Sequence, residues 1–258
     1  MAVERSYQNT NFITGLRAVA VLLVYLVHAG GGGLDELGEG WANFVRAGRY
    51  GVDIFFVISG FTIFHQIYEG DYTFKRFLLV RLSRLSIPYF PILSLIFIYW
   101  SFGGERFNYW DMQFNSDEDL VPNFLIHLTY FSWLSLKYAN TMIGVEWSLN
   151  VEVFYYCLLG FLITSGVLKR SFKSILVGFV LSFLVAVFFI FLGYARMVDA
   201  LFVEWAPFKF GWMFMLGGAA YAIRKHLSHT LSITHAEYTS NIVILLSLTS
   251  ICFYYVAV

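Results

Sequence analysis

The run SILVGFVLSFLVAVFFIFLGY, residues 174–194, holds no charged side chain. At a helical rise of about 1.5 Å per residue, such a stretch covers roughly 30 Å, the thickness of a bilayer's hydrocarbon core. No water is available there to satisfy the backbone, so the segment must close its own hydrogen bonds as a helix. Seven further apolar segments recur near residues 12–30, 52–68, 77–101, 121–136, 146–168, 207–223 and 241–258. Charged residues make up 13% of the chain, too few to cover a soluble globule. The expectation is an all-α fold: a polytopic transmembrane bundle of seven to eight hydrophobic helices, forming a single membrane-embedded domain over residues 1–258. A transmembrane barrel would show short alternating segments instead. Zero net formal charge gives no reason to expect a nucleic acid partner.

Orientation follows from the basic residues at the segment ends. The clusters TFKRF, LKRSFK and IRKH are assigned to the cytoplasm. The acidic loop GGERFNYWDMQFNSDEDL and the glycine-rich loop AGGGGLDELGEG are assigned outside, and the N-terminus inside. These sides require an odd number of crossings between the acidic loop and LKRSFK. Segment 121–136 is short and interrupted by Pro122, Asn123 and His127, so it reads as re-entrant or interfacial. A true span, with the basic cluster tolerated outside, is the alternative. The first run contains Arg17 and no cleavage pattern, so it reads as a retained span. The chain ends still apolar, at SICFYYVAV, which suggests a truncated C-terminus or missing last spans. Cys157 and Cys252 sit inside apolar segments and read as core thiols, with neither disulfide nor metal spacing.

Ionisable residues within apolar segments are costly, about 2.5–3.5 kcal/mol for a charge at mid-bilayer on insertion scales, and therefore functional candidates. Arg17 and His28 are eleven residues apart. That is about three helical turns, so they share a face at depths roughly 16 Å apart. Snorkelling of Arg17 and wetting of His28 at a helix end are the alternatives. In GRYGVDIFFVISGF, Asp53 enters a membrane segment and Ser59 precedes Gly60. Helix capping by Asp53 and close packing at Ser59-Gly60 would account for them equally. In FKRFLLVRLSRLSIPYF, Arg81 and Arg84 are three apart, hence on one face, and lie deeper than Lys75 and Arg76. Topology or anionic lipid explains the outer two. The deeper guanidinium forks suit a phosphate-bearing ligand. In GVEWSLNVEVFYY, Glu152 lies near Trp147 and Asn150 with no basic residue within a turn, so its partner must come from another helix. A Glu–Arg bridge that only holds the bundle is the alternative there. Glu146 reads as interfacial; His65 and His127 read as packing or interfacial.

Together these stretches resemble the membrane-bound acyltransferase family 3, the O-acetyltransferases that modify sugars at the cell envelope. The resemblance rests on Arg17-x10-His28, on GVDIFFVISGF, on Arg81-x-x-Arg84 and on WSLNVEVFYY, in that order and spacing. Tyr155 stands where the family's last motif has phenylalanine. The motifs cover roughly residues 11–160; family members usually have about ten spans, and some append an esterase-like domain that is not seen here.

The resemblance implies an acyl-CoA-dependent O-acyltransferase in a bacterial inner membrane, N-terminus cytoplasmic. It would carry an acyl group, most commonly acetyl from acetyl-CoA, to a hydroxyl of an envelope carbohydrate or glycolipid, with membrane lipid around it and no metal. Arg81, Arg84 and Arg17 would hold the phosphates of CoA. His28 would act as general base on the acceptor hydroxyl. Glu152 would orient His28 or bind the acceptor, with Asp53, Ser59, Trp147 and Asn150 in support. The competing reading is a proton-coupled transporter or exporter of a small metabolite, with intramembrane His, Glu and Asp as its relay. The sequence shows no repeat to favour it.

Overall fold

The structure is a computed structural model that describes residues 11–29, 33–70, 72–105 and 119–230. The apolar segment 241–258, Cys252 and most of the acidic loop lie outside the described residues. Nine α-helices run through the described parts: α1 Asn11–His28, α2 Glu39–Ala47, α3 Tyr50–Gly70, α4 Phe74–Ser101, α5 Leu120–Leu128, α6 Trp147–Thr164, α7 Phe172–Tyr194, α8 Ala200–Trp205 and α9 Gly211–Thr230. Short 3₁₀ turns stand at Leu34–Leu37, Ser132–Leu134 and Pro207–Phe210, and no strand occurs among the described residues. Four helical stretches are long and apolar enough to cross a membrane: Glu39–Gly70, Phe74–Ser101, Trp147–Thr164 and Phe172–Tyr194, with the shorter apolar Ile13–His28 beside them in the sequence.

The fourth apolar segment resolves into α5, of 9 residues, followed by a 3₁₀ turn. Nine residues of helix rise roughly 14 Å, about half a hydrocarbon core, so α5 does not cross by itself. The interruptions at Pro122, Asn123 and His127 are what the short helix is built from. By contrast α7 leaves Val180, Leu181, Leu184, Val185, Phe188 and Phe191 exposed, the surface a lipid-facing helix presents.

The chain divides into two compact units. One comprises Met1–His65, Arg170–Phe179 and Met213–Val258; the other comprises Gln66–Lys169 and Val180–Trp212.

In the first unit, glycines let backbones touch. A Cβ on Gly48 would sit 2.3 Å from the Leu23 carbonyl oxygen, and one on Gly51 would sit 2.6 Å from that of Ala20. Three residues forward at the start of α3 therefore match three residues back along α1, an antiparallel register. Farther along α3, a Cβ on Gly60 would meet the Phe214 carbonyl oxygen at 2.0 Å, and one on Gly217 the Val57 carbonyl oxygen at 2.1 Å. The Phe56 and Phe214 rings stack at 5.2 Å beside this crossing of α3 and α9. Small residues at such crossings gain van der Waals contact where lipid offers no hydrophobic drive.

In the second unit, α4 buries Phe77, Arg81, Tyr89, Leu93 and Trp100, a stripe at steps close to four. Thr73 caps its first turn, accepting from the Arg76 backbone N–H, and Pro88 and Pro91 lie inside it. Gly160 of α6 lies against the Phe77 ring, where a Cβ would come within 2.9 Å. Tyr89, Leu93, Trp100, Leu120, Tyr130, Met142 and Val153 form one apolar cluster of this unit. Trp133, Phe189, Val203 and Ala206 form another.

Alanine at Gly60 or Gly217 forces backbone apart rather than a flexible side chain. Each substitution is expected to cost at least the 1–3 kcal/mol roughly typical of overpacking. Gly15→Ala, where nothing lies within 4 Å, is expected to be neutral or slightly stabilising. Thermal melts of the detergent-solubilised protein followed by size exclusion check both.

Candidate functional site

The first unit carries Arg17, His28, Asp53 and Ser59. Arg17 is half-buried, one turn before the fully buried Ala20. The register that sets Gly48 on Leu23 and Gly51 on Ala20 continues to bring Asp53–Ile54 level with Arg17. Asp53 is only 7% exposed. Ser59 is buried beside the Gly60 crossing, as close packing demands. His28 is the last residue of α1 and is exposed.

Arg81, Arg84, Trp147, Asn150 and Glu152 lie in the second unit. Arg81 is 3% exposed. Its Nε donates to Gln66 Oε1 at 2.8 Å. Its guanidinium lies 5.2 Å from the Tyr156 ring centre and 5.6 Å from that of Phe77. Among the described residues Arg81 enters no ion pair, and its buried Nη2 has no hydrogen-bond partner. Arg84 is exposed. Their three-residue spacing does not carry both guanidinium groups into one buried place. The buried stripe of α4 advances at steps near four, so Arg81 falls on it and Arg84 beside it.

Glu152 is half-buried on α6, five residues after Trp147. The Trp147 ring lies 5.4 Å from Phe210, and its backbone N–H donates to Asn140 Oδ1. Asn150, 1% exposed, donates to Ser132 Oγ at 2.8 Å, and its buried Oδ1 has no partner among the described residues.

The most completely buried charged group was not expected. Glu146 is 1% exposed, not interfacial, and its Oε1 lies 3.0 Å from Nε2 of His127, which has no exposure at all. The carboxylate also accepts the backbone N–H groups of Met142, Ile143 and Val145. On the other edge of the ring, His127 Nδ1 faces the Asn123 carbonyl at 2.8 Å. A carbonyl only accepts, so Nδ1 carries a proton. Nε2 meets the carboxylate on the opposite edge, so the ring is held at both of its nitrogens. Burial raises the Glu146 pKa, but the bonds from His127 and the amides outweigh it and hold the carboxyl below its ordinary range.

This clamp shapes the turn before α6. Asn140 adopts φ 55° and Gly144 φ 86°. Asn140 Nδ2 donates to the Gly144 carbonyl, and Thr141 Oγ1 donates to Asn123 Oδ1. The turn is thereby tied to α5, and the first residues of WSLNVE are set in place. The sequence signal was faint: His127 and Glu146 are nineteen residues apart, on segments that look unrelated.

The depressed Glu146 pKa means that the clamp stabilises above the ordinary carboxylate range and is lost as pH falls through the folded-state value. His127→Ala or Glu146→Gln leaves one buried partner uncompensated, expected to cost about 3–5 kcal/mol. The double variant should cost less than the sum of the singles. Thermal unfolding of all three at neutral pH measures the coupling.

A family model described as an acyltransferase domain matches residues 10–258. A protein of Komagataeibacter xylinus named as a membrane-bound transacylase, BcsY, is 28% identical over 155 residues. The match covers 57% of this chain and 35% of that protein, so the chain spans about a third of the length of the curated relative it matches. No solved structure matches.

Proposed function

The chain belongs to the membrane-bound acyltransferase family 3, and from that premise we propose that it transfers an acyl group, acetyl in the first instance, from cytoplasmic acyl-CoA to a hydroxyl of an envelope carbohydrate. The observation that carries this reading is Arg81. It is a buried guanidinium with one edge bonded to a neutral amide, two aromatic faces beside it and an Nη2 that has no partner among the described residues. Guanidinium groups keep their charge in proteins, and their fork geometry suits phosphate. A cation prepared in this way favours the pyrophosphate or ribose phosphate of CoA.

Arg84, exposed on the same helix, adds positive potential rather than a second buried contact. Arg17, half-buried on α1, is the third cation that the family resemblance assigns to the donor. His28, exposed at the end of α1, has the chemistry of the general base. The acceptor oxygen attacks the thioester carbon as His28 takes its proton. The carbon–sulfur bond then breaks, and the CoA thiolate leaves and is protonated. The family resemblance assigns Glu152, Trp147 and Asn150 to the same reaction; Glu152 supplies a carboxylate for the acceptor. Basic clusters at Lys169–Arg170 and Arg224–Lys225 support a cytoplasmic N-terminus, and the family resemblance supports a bacterial inner membrane.

Arg81→Ala is expected to weaken acetyl-CoA binding at least tenfold, and Arg84→Ala by a smaller factor, by calorimetry on purified protein. His28→Ala should bind acetyl-CoA as the parent does, yet transfer no labelled acetyl to the glycan fraction of membranes. Unchanged acetyl-CoA affinity in Arg81→Ala would remove the phosphate role, and normal transfer by a folded His28→Ala would remove the base.

A further inference from the structure

Buried arginines are ordinarily matched by a carboxylate, because the cost of desolvating a charge is offset only by a partner of opposite sign. Arg81 breaks that rule. The group bonded to its Nε is Gln66, an amide with nearly the shape of a glutamate and no charge. Gln66 lies in the last turns of α3, and the two residues that follow it are anchored. Ile67 is buried, and Tyr68 donates its hydroxyl to the Leu168 carbonyl at 2.8 Å. The rings of Tyr156 and Phe77 stabilise the cation through their faces while taking none of its N–H donors. Every contact that Arg81 makes within the described residues thus holds the guanidinium and leaves its charge unneutralised.

We propose that Gln66 is a positioning and specificity residue for the anionic end of the acyl donor: it fixes the Nε edge of Arg81 so that Nη2 is presented, and by being neutral it reserves the positive charge for the phosphate. The inference rests on the reading of Arg81 as the phosphate grip. A carboxylate at position 66 would reach the same Nε–H, complete a buried ion pair, and compete with the ligand from inside the protein. Anion affinity would fall while the fold gained a contact.

That opposition gives a test with two readouts on the full-length chain in detergent: the thermal midpoint, and acetyl-CoA binding by calorimetry. Gln66→Glu is expected to raise the midpoint and to weaken acetyl-CoA binding at least tenfold. Gln66→Leu, which removes the acceptor but adds no charge, is expected to lower the midpoint and to weaken binding less than Gln66→Glu does. The two variants thus rank in opposite orders for stability and for binding, which a purely structural glutamine would not produce. Wild-type affinity in Gln66→Glu, or loss of stability and binding together in that variant, overturns the role of Gln66. Arg81→Ala separates the two levels. If it loses acetyl-CoA while Gln66→Glu does not, the phosphate grip stands without Gln66. If it too binds normally, the grip itself is wrong.

Discussion

A charged side chain withdrawn from water has to find its compensation inside the protein, and in a chain with so few charges each case can be followed individually. Glu146 is answered completely: an imidazole nitrogen on one oxygen and three backbone amides shared between both. Asp53 is buried at the level of Arg17 by the glycine-to-backbone register of α1 and α3. Arg81 is answered by an amide oxygen and two ring faces, none of which carries a negative charge. The first arrangement fixes structure. The last leaves the positive charge without an internal counterion among the described residues, which is what the proposed phosphate grip requires. Position along the sequence does not distinguish these cases; the partner chemistry does.

The spans and the motifs were legible because hydrophobic length and fixed spacing are local properties. Residues 174–194 could be little else than a lipid-facing helix, and α7 exposes its apolar side chains accordingly. The weakness of segment 121–136 was legible too, since Pro122, Asn123 and His127 interrupt it, and α5 is only 9 residues long. Partners from distant segments were not legible. His127 reads as a lone histidine and Glu146 as an interfacial acid as long as each is set against its own segment alone. The spacing of Arg81 and Arg84 suggested a common face, but which face is buried depends on where α6 packs. Gly160 sets that contact against Phe77, one turn before Arg81. Gln66 carried no signal at all, because a glutamine near a helix end is unremarkable until the side chain facing it is known.

The glycines of the second motif gain a physical meaning of the same kind. Gly51 and Gly60 are places where α3 meets the backbone of another helix rather than its side chains. Contact at that range fixes the rotation of α3 about its axis, because only the glycine face can approach so closely. Rotation in turn decides that Asp53, seven residues before Gly60 and so on nearly the same face, is buried, and that Ser59 is buried beside the α9 crossing. A motif that reads as apolar filler with two small residues is therefore a device for holding one acid at one depth.

The contrast between Glu146 and Arg81 bears on why a membrane protein would tolerate a cation that no carboxylate among the described residues answers. A polar network in a low-dielectric interior is rigid when every member is satisfied and unstable when one is not. The turn before α6 needs rigidity, because it sets the first residues of WSLNVE and so the position from which Glu152 projects. A fully satisfied pair suits that purpose. A ligand grip has the opposite requirement. Had Arg81 been satisfied by glutamate, the resting protein would be more stable, and the incoming phosphate would have to displace an internal anion of similar geometry. A neutral glutamine anchors the same nitrogen and leaves the Coulombic attraction for the ligand alone. On the proposed reading, one amide in place of one carboxylate turns a structural ion pair into a binding site, and the buried Nη2 of Arg81, without a partner among the described residues, is the atom at which that difference is visible.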